Sequence, residues 1–201
     1  MLGRSGVIFG LMMTLVAASA SAQTPTVRIR GDVDSLDGRT LHVTTRAGEK
    51  LTVALAPNTV VTVIAPSSFG AIKTGSYIGT AAIPQKDGTL RALEVQVFPE
   101  SARGAGEGSR PFDLTPQSTM TNGTVGDVTG TEGHRLTVTY QGQKALVDVP
   151  DDAPVVTYEP GSIALLTPGA HILIFSAAKA ADGSLSTSRV QVGKDGLVPP
   201  M

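Results

Sequence analysis

Cysteine and tryptophan are absent from the 201 residues, and aromatic side chains make up only 4% of them. Without cysteine there is no disulfide staple, no thiolate metal site and no thiol nucleophile. Oxidising compartments permit disulfides but do not require them, so this absence does not fix the compartment. Charge is sparse as well: 16 basic residues stand against 17 acidic ones, a formal net charge of −1. A balance so near neutral leaves no electrostatic footprint for a nucleic acid or a charged membrane surface. Only 3 histidines are present. His42, His134 and His171 show no ligand spacing, and Met120 and Met201 form no thioether cluster, so no metal and no cofactor is expected. There is no nucleophile elbow, no helical metal motif and no phosphate loop, and the chain is not expected to be an enzyme. Asp151-Asp152 and the Asp-Gly pairs at 37, 87 and 182 read as turns.

One long apolar run is present, Val7 to Ala18, and it follows Arg4. It is shorter than the roughly 20 residues a membrane span needs. Ala20-Ser-Ala22 then supplies the small-residue pattern of a cleavage site. Residues 1–22 are therefore expected to be a signal peptide, cut after Ala22, which places the mature protein in the periplasm. No cysteine follows the run to take a lipid, and no later segment is apolar enough to span a bilayer.

The remainder reads as one β-patterned unit written twice. Arg30-Gly-Asp-Val33 matches Asn122-Gly-Thr-Val125, and Thr40-Leu-His-Val-Thr44 matches Arg135-Leu-Thr-Val-Thr139. Val60-Val-Thr-Val63 matches Val155-Val-Thr-Tyr158, and Lys73 to Ile78 matches Leu166 to Ile172 with one insertion. Asp87-Gly-Thr-Leu90 matches Asp182-Gly-Ser-Leu185, and Val95-Gln-Val97 matches Val190-Gln-Val192. Six blocks in the same order make a duplication. Copies of about 75 residues are near the lower limit for independent stability, so they should lean on each other or on the segment between them.

Within the first copy Val27, Ile29, Gly31 and Val33 alternate with Arg28, Arg30, Asp32 and Asp34, the mark of a strand buried on one face. Asp37-Gly38 and Ala47-Gly48 turn the chain into two further strands. Pro57-Asn58 should break the run before Val60 to Ile64. Ser67 or Ser68 should cap a short helical turn carrying Phe69 and Ile72. Tyr77 to Ile83 and Leu90 to Phe98 complete the unit. The second copy repeats the plan: its first hairpin turn is Thr131-Glu-Gly-His134, and its last strands run from Ala170 to Ala177 and from Leu185 to Val192.

Three strands, a helical turn and two strands is the order of the OB-fold, a five-stranded Greek-key barrel; half of a small β-sandwich is the alternative. The expected organisation is all-β: two tandem OB-like barrels at 23–98 and 120–193, each closing on its own core. A Gly/Pro/charged linker at 99–119 would join them, and a patternless tail, frayed or laid along a barrel, would occupy 194–201.

The run Arg30-Gly-x-Val-x-x-x-Asp37-Gly-x-x-Leu-x-Val43, the linker Pro99 to Leu114, Ser118 to Asn122 and the end Val192 to Met201 resemble an exported bacterial domain family of unknown function. Relatives of that family often carry the label metal ABC transporter permease. The resemblance covers nearly all of the chain after residue 22 and implies an exported OB-like fold, with no established activity. A permease needs several spanning helices, which this chain does not contain.

The strongest candidate site is the linker. Arg103 and Arg110 could grip a carboxylate or phosphate at the barrel junction, with Phe112 and Asp113 beside them. Alternatively Phe112 and Leu114 dock the linker on a barrel while its charges pair locally. Asn122-Gly-Thr124 spells a glycosylation acceptor, but its match to Arg30-Gly31 makes it the start of a strand. An OB-like barrel suggests nucleic acid, which needs a basic groove with stacking rings; Phe69, Tyr77, Phe98, Phe112, Tyr140, Tyr158 and Phe175 fall mostly at core positions instead. The leading expectation is a non-catalytic binding or scaffolding module of the cell envelope, its partner an envelope protein or glycan. Metal handling and an enzyme of unrecognised type are the alternatives.

Overall fold

Alternation becomes strands along almost the whole length of the computed structural model, which describes residues 25–129 and 134–201. The expected signal peptide lies outside the described residues, as does the second copy's first hairpin turn except for His134. The strands are β1 (Thr26–Asp37), β2 (Thr40–Thr45), β3 (Lys50–Pro66), β4 (Tyr77–Pro84), β5 (Leu90–Val97) and β6 (Gly108–Pro111). They continue with β7 (Thr119–Thr129), β8 (His134–Tyr140), β9 (Gln143–Val149), β10 (Val155–Pro160), β11 (His171–Lys179) and β12 (Leu185–Gly193). In β1, Ile29 and Val33 are buried while Asp32 and Asp34 are exposed, as the period of two requires. Among the described residues no helix is long and apolar enough to cross a membrane.

The strands close into two rings, and the rings are not the two copies expected from the sequence. The first ring runs β1, β2, β3, β12, β11 and back to β1. The second runs β7, β8, β9, β5, β4 and back to β7. Each ring takes three strands from one copy and two from the other. Ile29, Leu41 and Val61 share a core with Ile174 and Val190, and Leu136 and Val147 share one with Ile78 and Val95. The expected domains at 23–98 and 120–193 are therefore corrected: neither closes on its own core.

The cause is the arm that follows the third strand of each copy. The break expected at Pro57-Asn58 is a bulge, skipped in the parallel ladder between Leu55 and Val60, and β3 runs on to Pro66. Its end pairs antiparallel with β10, from Thr62 opposite Pro160 to Pro66 opposite Val156. That ladder carries each arm across to the other ring instead of back to its own. Pro66 and Pro160, lacking an N–H, end the strands on either side.

Each crossing ends in a single 3-10 turn. The first, Phe69–Ala71, lies where the helical turn was expected, and Ser68 precedes it without a side-chain capping bond. Its Ile72 caps the second ring, while Leu166, after the turn Ile163–Leu165, caps the first.

The segment 99–119 is more ordered than its composition suggests. It holds a 3-10 turn at Glu100–Ala102 and strand β6, paired on β7 from Gly108 opposite Asn122 to Pro111 opposite Thr119. The final residues hold a 3-10 turn at Lys194–Gly196 and bring Met201, fully buried, between the rings. There Met201 packs with Ala81, Met120 and Leu173, and Phe112, Leu114 and Phe175 lie against the same cluster.

Candidate functional site: the groove between the rings

Exchange places β12, β3, β10 and β5 side by side as a sheet that bridges both rings. Directly opposed residues share a face, so the ladders sort its side chains. One face carries Val61, Val63, Val190 and Val192 into the first ring and Val95 and Val155 into the second. The other carries Val60, Thr62, Arg189, Gln191, Tyr158, Glu94 and Gln96. Except for the buried Glu94, these side chains floor a groove of about 480 Å³, walled by Phe98, Ala105, Met120, Asn122, Phe175 and Met201.

The floor and the layer beneath it hold a linked set of polar groups. The Tyr158 hydroxyl donates to Gln96 Oε1, and Gln96 Nε2 donates to Glu94 Oε1 at 3.3 Å. Gln96 Nε2 also lies against the sulfur of Met201. Glu94 is fully buried, and burial pushes its carboxyl up to about 8, against the opposing pull of the Gln96 amide and the Arg30 charge. Burial likewise raises the Tyr158 hydroxyl. Glu94 Oε2, Gln191 Oε1 and Asn122 Oδ1 are buried without a hydrogen-bond partner. Gln191 and Asn122 both line the groove, so two of these three oxygens belong to it.

Of the four linker residues expected to act together, the structure brings only Arg110 to this groove. Arg103 is held by Glu100 at 2.5 Å, donates to the Gly75 carbonyl at 2.8 Å, and lies 5.9 Å from the centre of the Tyr77 ring. Phe112 sits beneath the Arg28 guanidinium, 4.5 Å from ring centre to charge. Asp113 accepts from Arg28 and from Arg30, the latter at 2.8 Å, and these contacts, Arg30 first, hold its carboxyl below the usual carboxylate range. Phe112 and Asp113 thus pin the segment to β1.

Arg110 donates to the Gly106 carbonyl at 2.9 Å and faces the groove. Arg189 reaches it from β12. The ion pairs among the described residues engage Arg28, Arg30, Arg91, Arg103, Arg135, Lys194 and the three histidines, but neither Arg110 nor Arg189. No Asp or Glu lines the groove among the described residues.

The histidines stand apart, His42 beside Asp37, His134 beside Asp151 and His171 beside Asp32. Among the described residues no three metal-binding side chains come together. Asn122 is buried and donates to the Ala105 carbonyl at 3.1 Å, so the glycosylation triplet lies inside the fold.

Sequence reasoning assigned Phe98 and Tyr158 to core positions and passed over Glu94, Gln96, Arg189 and Gln191. A polar residue between two valines on a strand is what alternation demands anywhere. The usable signal was that Gln96 and Gln191 recur at one position of the repeat. Comparison of the chain with protein-family models, with curated proteins and with solved structures finds no match.

Proposed function

We propose that the protein is a non-catalytic binding module of the bacterial cell envelope, built of two OB-like barrels that have exchanged their last two strands. The strand order around each ring, with the third strand parallel to the fifth, supports the OB-like description. Export by a cleaved signal peptide, with residence in the periplasm, rests on residues 1–22 of the sequence.

The observation that carries the reading is the groove on the bridging sheet. Its volume of about 480 Å³ falls in the range of small-molecule sites. It combines aromatic walls, convergent amides and two guanidiniums, the mixture of apolar surface and sparse polar groups that such sites use. A compact ligand from the envelope suits it better than the face of a folded protein, which would need a surface of about 800 Å².

Incubation of the full chain with fractionated envelope extract, followed by native mass spectrometry, tests this reading. A small-molecule adduct is expected on the wild type and not on a Phe98→Ser, Gln191→Ala variant. An unchanged protein mass in every fraction would remove the binding function.

A further inference from the structure

We propose that the groove binds an organic anion, a single carboxylate or phosphate head on an apolar body, with Arg110 and Arg189 taking the head. This rests on the groove being a binding surface and adds the chemistry of what it holds.

Two observations carry the head group. Arg110 and Arg189 approach the groove from different elements, β6 and β12, and neither is engaged by a carboxylate of the described protein. The segment that brings Arg110 does not waste its other charges: Arg103 is paired with Glu100 and Asp113 with Arg28 and Arg30. Arginine's planar fork suits carboxylate and phosphate oxygens alike. On a chain of net charge −1, a groove with two cations and no acid on its lining is a local reversal of sign. Glu94 lies beneath the lining, and its burial favours the uncharged acid.

The body follows from the walls. Phe98 and Phe175 are half-buried and give ring surface, and Phe98 lies 5.3 Å from Tyr158, centre to centre. Met120 and Met201 add two thioether side chains able to adjust to an irregular apolar shape. Between head and body, Gln191 and Asn122 hold oxygens without partners in the protein. A small rotation would let them accept from a hydroxyl or amide N–H on the ligand.

The full chain is titrated with octanoate, octyl phosphate, octyl glucoside and octyltrimethylammonium, each below its micelle-forming concentration, and with acetate and inorganic phosphate. The side-chain amide resonances of Gln96, Asn122 and Gln191 report occupancy. Octanoate or octyl phosphate, or both, should shift them, and comparing the two separates a carboxylate site from a phosphate site. Acetate and inorganic phosphate should bind about tenfold or more weakly, having no body. In the Arg110→Gln, Arg189→Gln variant the octyl anions should lose about tenfold or more in affinity, the worth of charge-assisted hydrogen bonds. Both arginines are exposed, so the variant keeps its fold, which its backbone spectrum checks. Equal response to octyl glucoside or octyltrimethylammonium, or undiminished anion binding by the variant, would overturn the anion while leaving the groove a binding site. No response to any probe would overturn both.

Discussion

Glu94 and two glycines set the tightest constraints at the scale of single residues. Burial raises the Glu94 carboxyl to about 8, far above its value in an unfolded chain. A raised acid favours folding below its unfolded pKa, and that advantage is lost as pH climbs through the folded pKa. Stability should therefore fall between about pH 4.5 and pH 8 by a few kcal/mol, at up to about 1.4 kcal/mol per pH unit. Glu94→Gln should flatten this slope and be the more stable form at pH 8, as urea unfolding across that range would show. Gly31 and Gly123 hold equivalent places in β1 and β7. A Cβ on Gly31 would lie 2.2 Å from the Thr44 carbonyl oxygen, and one on Gly123 2.5 Å from that of Thr139. Either alanine variant should cost about 1–3 kcal/mol in denaturant unfolding, because backbone rather than a flexible side chain must yield. The repeated Arg30-Gly31 and Asn122-Gly123 made this pair legible in the sequence. Glu94 was not, because nothing in a strand of alternating residues says that both of its faces will be covered.

Among elements, the segment between the copies and the arm after the third strand differ most from expectation. The linker was legible as an interruption and as the carrier of Phe112. Arg103 pairs with Glu100 inside the segment, as the local alternative had it, but Asp113 could not be assigned a partner, since Arg28 and Arg30 lie far back in the chain. With Phe112 beneath Arg28 and Asp113 between Arg28 and Arg30, β6 and its flanks are held at one end. Phe112→Ala with Asp113→Asn should loosen that hold. Trypsin should then cut at Arg103-Gly104 about tenfold faster, since cleavage follows the population of the opened segment. Arg110-Pro111 should resist in both proteins. Unchanged cleavage would mean that β6 is secured by its pairing with β7 alone. The arm was legible only in part: Val60 to Ile64 reads as a strand in any fold. Its register against Val156 to Pro160 depends on a segment nearly a hundred residues away.

The whole molecule is two rings that neither half of the sequence can close. The duplicated blocks indicated the five strands that each ring closes with, their order and most of their bounds, but not β6 in the linker or the separate strand β10. They could not give the exchange, because equivalent strands of the two copies carry the same pattern and either fits the gap. Strand exchange of this kind usually joins two chains; here one chain supplies both partners. Each core draws on both expected units, and the ladder between β3 and β10 joins the two rings, so the rings should unfold together. Leu41→Ala in the first ring and Leu136→Ala in the second should each cost about 2–5 kcal/mol and shift one common transition. Two separate calorimetric transitions would show independent rings.

A cross-link tests the exchange most directly, and a chain without cysteine leaves any engineered pair unopposed. Asp32 lies opposite His171 across β1 and β11, a spacing within reach of a disulfide. Were each copy closed on itself, Asp32 would instead face Tyr77, the counterpart of His171 in its own copy. The full chain carrying Asp32→Cys and His171→Cys should oxidise to a cross-linked monomer, and the chain carrying Asp32→Cys and Tyr77→Cys should not. A cross-linked monomer from the second pair, with none from the first, would contradict the exchange and the groove built on it.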